Sequence, residues 1–140
     1  MIDERTVPYA ALLLRIALGM LALAHAGLKV FVFTVPGFVK YFAGLGLPEW
    51  FAYALLAFEI LGGAALILGV FARWVALLFA IELAGTIIMV HAAMGFLFYN
   101  PRGGWEFPAL WLVSAIALTL IGDGPYALVR SWPIIARSQR

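Results

Sequence analysis

From Val7 to Ile121 the chain is a succession of apolar stretches, each about as long as a bilayer is thick and parted only by short turns. A spanning helix needs about 20 mostly apolar residues. Read against that length, the sequence divides into Val7–Phe33, Trp50–Phe71, Trp74–Phe98 and Trp105–Ile121. Each division has its own punctuation: Pro36-Gly37 after the first span, Gly44 to Pro48 before the second, Arg73 between second and third, Asn100 to Gly104 before the fourth, and Asp123-Gly124-Pro125 after it. Pro108 falls in the first turn of the last span, where a missing N–H costs little. Composition agrees. The 140 residues are 66% hydrophobic and 11% charged, whereas a soluble domain has about 45–50% apolar and about 25% charged residues. Such a chain cannot clothe a water-facing globule, a disordered tail or a nucleic-acid-binding surface. With no cysteine, disulfides, thiolate metal sites and thiol redox relays are excluded as well. The expectation is an all-α membrane protein, a four transmembrane helix bundle over residues 1–128 with a basic C-terminal tail over 129–140, its environment the lipid bilayer.

Between the first two spans, Gly37–Gly46 is too short to cross; Phe38, Lys40, Tyr41 and Phe42 suit a piece lying at the membrane surface. Trp50, Trp74, Trp105 and Trp132 fall at or just past span ends, where an aromatic belt belongs. Four spans place Arg5, Arg73, Arg130, Arg137 and Arg140 on one side and Lys40 and Arg102 on the other, with Lys29 near the boundary. Cytoplasmic loops carry the excess of Lys and Arg, so both termini are expected in the cytoplasm. Ala24-His25-Ala26 resembles a signal-peptide cleavage site, but Asp3, Glu4 and Arg15 spoil the segments that should precede one, and no cleavage is expected.

Ionisable residues inside the spans stand out. A charge at the bilayer centre costs at least about 2.5–3.5 kcal/mol on insertion scales, yet Arg15, Glu59 and Glu82 lie well inside, with His25, Lys29, His91 and Glu106 nearer the ends. On a helix of about 100° per residue, His25 and Lys29 lie within about 80° of Arg15, on a stripe shared with Gly19, Ala22 and Ala26. Small residues let a neighbouring helix approach closely, so this stripe should face the bundle interior. Depths counted at about 1.5 Å per residue set Arg15 level with Glu82, Lys29 with Glu106, and Glu59 near His25 and His91. Glu82 and His91, nine residues apart, would point opposite ways on an ideal helix. Either the helix is distorted between them, with Gly85 available, or His91 faces the outer interface. Glu59 is central with no cation at its depth, and a carboxyl in that position suits proton transfer.

Several runs together resemble the DoxX family: Leu12 to Gly19, Gly27-Leu28-Lys29, Phe42 to Pro48, Glu59-Ile60-Leu61-Gly62-Gly63 with Gly69 and Arg73, then His91, Gly103-Gly104-Trp105-Glu106 and Gly122 to Tyr126. The resemblance covers roughly residues 8–128 and departs at Val129, where many members carry an acidic residue. It implies a four-helix protein of the bacterial inner membrane, related to subunits of quinone-linked oxidoreductases or to partners of secreted redox enzymes. Arg15, Lys29, Glu59, Arg73, His91 and Glu106 match the family's polar positions. His25 and Glu82 are added from depth and face.

Three readings follow. In the first, the chain is a membrane subunit handling a quinone, with Glu59, His91 and His25 as catalytic proton carriers, Arg15, Lys29, Glu82 and Glu106 as cofactor-binding groups, and Phe31, Phe33, Phe51, Phe96, Phe98 and Tyr99 walling an apolar cleft. In the second, it is a non-catalytic scaffold docking a partner redox enzyme, its internal charges structural. In the third, His25 and His91, with Glu59, hold haem or a metal. A homo-oligomer is compatible with each.

Overall fold

The computed structural model describes residues 3–132, which form five α-helices. The first, α1 (Val7–Gly27), begins with Pro8 in its opening turn and continues as one π-helical turn, Leu28–Val32. Helix α2 is Val35–Gly44, and α3 is Glu49–Leu68. Helix α4 (Ala72–Thr86) runs on through a π-turn, Ile87–His91, and a short 3₁₀ turn, Ala92–Met94. Helix α5 is Glu106–Ile121. Three of the four apolar stretches, Val7–Val32, Glu49–Leu68 and Ala72–Met94, are helices long and apolar enough to cross a membrane. The fourth, α5, has 16 residues, about 24 Å at helical rise against a hydrocarbon core of about 30 Å.

The four long elements alternate in direction. Their connections divide the bundle into a terminal end, holding the start of α1, the α3–α4 turn and the segment after α5, and a loop end opposite. Helix α1 packs chiefly on α3, and α4 on α5, with lighter contact between α3 and α4. The small-residue stripe of α1 does face inward: Ala11, Arg15, Leu18, Gly19, Ala22 and Ala26 are buried. Gly19 and Gly63 make the closest approach, since a Cβ on Gly19 would stand 2.6 Å from the Gly63 carbonyl oxygen. Around them Leu66, Ala76, Phe79, Ala80, Trp111, Ala115 and Leu118 complete the main core.

Three features differ from the sequence expectation. The second span ends at Leu68 and not at Phe71, because Gly69 turns at φ 71°. The third span ends at Met94 and not at Phe98, because Gly95 turns at φ 81° and the chain folds under the start of α5. There the amides of Gly104, Trp105 and Glu106 donate to the carbonyls of Leu97, Gly95 and Phe96 at 2.9–3.1 Å. The segment read as a surface piece is α2, docked on the bundle through Phe38, Val39 and Phe42, which pack with Ala26, Ala52 and Leu56. Of the basic tail, Arg130 lies within the described residues, and Arg137 and Arg140 lie outside them.

At the terminal end the segment after α5 folds back onto the bundle. Leu128 and Val129 donate to the carbonyls of Leu68 and Gly69, and Phe71 donates to that of Val129, giving a short parallel bridge between Val70 and Val129.

Candidate functional site

The charged residues of the spans gather in two places. Near the loop-end half, the Lys29 ammonium is ion-paired with the Glu59 carboxylate, and the Glu82 carboxyl faces that of Glu59. Side chains on a helix lean toward its N-terminus. On the antiparallel pair α1 and α3, Lys29 therefore reaches inward from the loop end while Glu59 reaches outward to meet it. Depth counted at the Cα atoms sets Lys29 beside Glu106, but the lean of the side chains brings it to Glu59. Glu59 is 4% exposed, and its Oε2 is buried without a hydrogen-bond partner, as is Oε2 of Glu82. Helix α2 closes the cluster from outside, with the Phe38 ring centroid 5.1 Å from Lys29 Nζ.

Beside this cluster a cleft of about 410 Å³ opens between α3 and α4. Its walls are Leu55, Phe58, Leu78, Ile81, Met89 and Val90, and its loop-end rim is Phe42, Leu45, Leu47 and Phe51. Glu82 and Thr86 supply its polar side chains, and Gly85 leaves the α4 wall open, with no atom within 4 Å of where a Cβ would stand. The cleft lies where packing is lightest, since α3 and α4 each pack more heavily on another partner than on one another. Of the aromatic residues expected to wall such a space, Phe51 does so; Phe31, Phe33, Phe96, Phe98 and Tyr99 are exposed on the bundle surface. The contribution of α2 and its following turn carries no periodic signal of its own, since three aromatics in ten residues suit a membrane surface as well as a docked lid.

Arg15 lies elsewhere. The guanidinium, 2% exposed, does not pair with Glu82 but donates to backbone carbonyls of the returning segment: Asp123 at 3.3 Å, Pro125 at 3.0 Å and Tyr126 at 3.1 Å. Gly69 makes room for it, for a Cβ there would overlap Arg15 Nη1, and its φ of 71° is one that glycine adopts without strain. Asp123 ties the same end together. Its carboxylate accepts from the Arg73 amide at the start of α4 (3.1 Å) and from the amide and hydroxyl of Ser131 (2.8 and 2.6 Å). Burial raises the affinity of this carboxyl for protons, but the Ser131 and Arg73 hydrogen bonds and the Arg73 charge outweigh it and hold Asp123 below the ordinary carboxylate range.

The histidines are placed separately. His25 donates through Nδ1 to the Leu21 carbonyl at 3.0 Å and packs against the rings of Trp111 and Phe107, at centroid distances of 4.9 and 6.2 Å. His91 donates through Nδ1 to the Gly103 carbonyl at 2.9 Å. The π-turn that ends at His91 lies between it and Glu82, so α4 is distorted there and His91 turns to the loop that leads into α5. Glu106 accepts from the Phe98 amide at 3.1 Å and fixes that loop. No group of three or more His, Asp or Glu side chains among the described residues is arranged as a metal site would be.

Comparison with known proteins adds a family. The sequence model described as DoxX matches residues 10–92. A protein of Bacillus subtilis (strain 168), named "Putative oxidoreductase CatD", is 37% identical over 125 residues, covering 89% of this chain and 88% of that protein. No solved structure matches at a significant level.

Proposed function

Because the chain belongs to the DoxX family, we propose that it is the membrane subunit of a quinone-linked oxidoreductase system in the bacterial inner membrane, crossing four times with both termini in the cytoplasm and working with a partner redox enzyme. The observation that carries this reading is the apolar α3–α4 cleft with Glu82 in its wall, one carboxyl oxygen of which, Oε2, is buried without a hydrogen-bond partner. The cleft suits a quinone ring in size and polarity, within the roughly 300–1,000 Å³ of ordinary ligand sites, and the orphaned oxygen supplies the one hydrogen-bonding group such a ring needs on this side. A bound quinone would accept two electrons and two protons. The rest falls to the chain. Leu55, Phe58, Ile81 and Met89 hold the ring and exclude water, and Glu82 Oε2 hydrogen-bonds to its edge. Lys29 neutralises Glu59. Glu82, which faces Glu59 and lines the cleft, is the group positioned to pass a proton to the ring. His25 and His91, set apart from the cluster, orient α1 and the outer loop in this scheme, and no role in holding haem or a metal is assigned to them.

The test is equilibrium binding of a short-chain benzoquinone to the purified protein in mild detergent. Glu82→Gln, which keeps a hydrogen-bonding amide, should bind within a few-fold of wild type, and Glu82→Leu about tenfold more weakly. Equal affinity in wild type and Glu82→Leu would return the cluster to a structural role and leave the protein a scaffold for its partner enzyme.

A further inference from the structure

At the opposite end of the bundle from the cleft, a second cavity of about 420 Å³ lies between the start of α1 and the returning segment, lined by Val7, Pro8, Arg73, Asp123, Arg130 and Trp132 among others. We propose that it is a binding site for the phosphate of an anionic phospholipid headgroup, held between Arg73 and Arg130.

Charge balance points there. Arg73 and Arg130 line the cavity with Asp123 as the one acidic residue of that lining, and Arg15 lies close behind Asp123. The two Asp123 oxygens are already engaged by the Arg73 amide and by Ser131. The Arg15 guanidinium is turned away to backbone carbonyls. Among the described residues Arg73 donates no side-chain hydrogen bond, and its Nε is buried without a partner; Arg130 is exposed at the rim. Two guanidinium groups thus border one cavity against a single carboxylate whose oxygens are engaged elsewhere, and the oxygens of a phosphate are acceptors that match such forks. The surroundings favour a lipid as its source. The cavity sits where apolar helices end, Trp74 and Trp132 pack together beside it at 5.6 Å between ring centroids, as aromatic residues do at headgroup level, and Val7, Pro8 and Ile121 give it apolar walls for the glycerol backbone. Basic pockets between spanning helices bind anionic headgroups by the same physics.

Native mass spectrometry of the purified protein with dioleoyl phosphatidylglycerol or dioleoyl phosphatidylcholine tests this. Wild type should retain the anionic lipid in preference to the zwitterionic one, and millimolar inorganic phosphate should not displace it. Arg73→Gln/Arg130→Gln should lower retention about tenfold or more, Arg130→Gln should lower it in part, and Lys40→Gln at the loop end should leave it unchanged. Equal retention of both lipids, retention in the double variant, or an equal loss in Lys40→Gln overturns the proposal; displacement by inorganic phosphate overturns the lipid as source. Should Arg73→Gln fail to fold, Arg130→Gln, at an exposed position, decides alone, and unchanged retention there is a refutation.

Discussion

Lys29 and Glu59 illustrate what a membrane interior does to a pair of charges. Each alone would be an uncompensated ion among apolar side chains, and removing one partner of a buried pair typically costs about 3–5 kcal/mol, whereas replacing both is often neutral. Lys29→Met should therefore destabilise strongly, Glu59→Gln somewhat less, and the double variant should recover much of the loss in thermal unfolding in detergent. Additive losses would mean that the two do not act as a pair. Asp123 gives a prediction in pH. Its carboxyl is held below the ordinary range, so its contribution is complete above about pH 4, the unfolded value, and drains away as pH falls through the lower folded value. Asp123→Asn should lower Tm at neutral pH and flatten the acid limb; an acid limb as steep as that of wild type would contradict the assignment. Much at this scale was legible in the sequence: the residues too costly to leave in lipid could be named, and Arg15 and Glu59 are buried. Their partners were harder to read. Matching depths ignores the lean of side chains, which brings Lys29 to Glu59. The carbonyls that receive Arg15 belong to Asp123, Pro125 and Tyr126, and a backbone acceptor has no residue type to announce it.

Among elements, the decisive contact is the α1–α3 crossing at Gly19 and Gly63. Substituting Gly19→Val places branched carbons against the Gly63 carbonyl and Ile67. Overpacking of this kind costs about 1–3 kcal/mol or more, to be seen as a lowered Tm with the helical content of the folded state retained; an unchanged Tm would show that the helices stand further apart. The sequence carried this element-level information well, because small residues recur on one stripe of α1 and Gly62-Gly63 sits mid-span on α3. Nine residues of phase between Glu82 and His91 left two alternatives, a distorted helix or a His91 turned from the core, and the structure has both a π-turn at Ile87–His91 and a His91 bonded to the Gly103 carbonyl. What it did not carry is the docking of α2. Phe38, Val39 and Phe42 are buried against the bundle, a placement decided by the shape of the α1–α3 surface and not by any pattern within the ten residues.

At the scale of the whole molecule, the bundle separates its polar chemistry by end. The terminal end is built for connection: Arg15, Asp123 and the Val70–Val129 bridge join α1, the α3–α4 turn and the returning segment. The loop-end half is built around an opening, where α3 and α4 part beside Lys29, Glu59 and Glu82. Gly85 offers a direct handle on a lipophilic occupant of that opening, since a side chain there meets nothing but the cleft. The measurement is the quinone content of protein purified from native membranes, read by mass spectrometry of an organic extract, for wild type and Gly85→Phe. Near-stoichiometric quinone in wild type and its loss in a Gly85→Phe protein of unchanged helicity is the result predicted; wild type free of quinone, or equal amounts in both, would contradict the account.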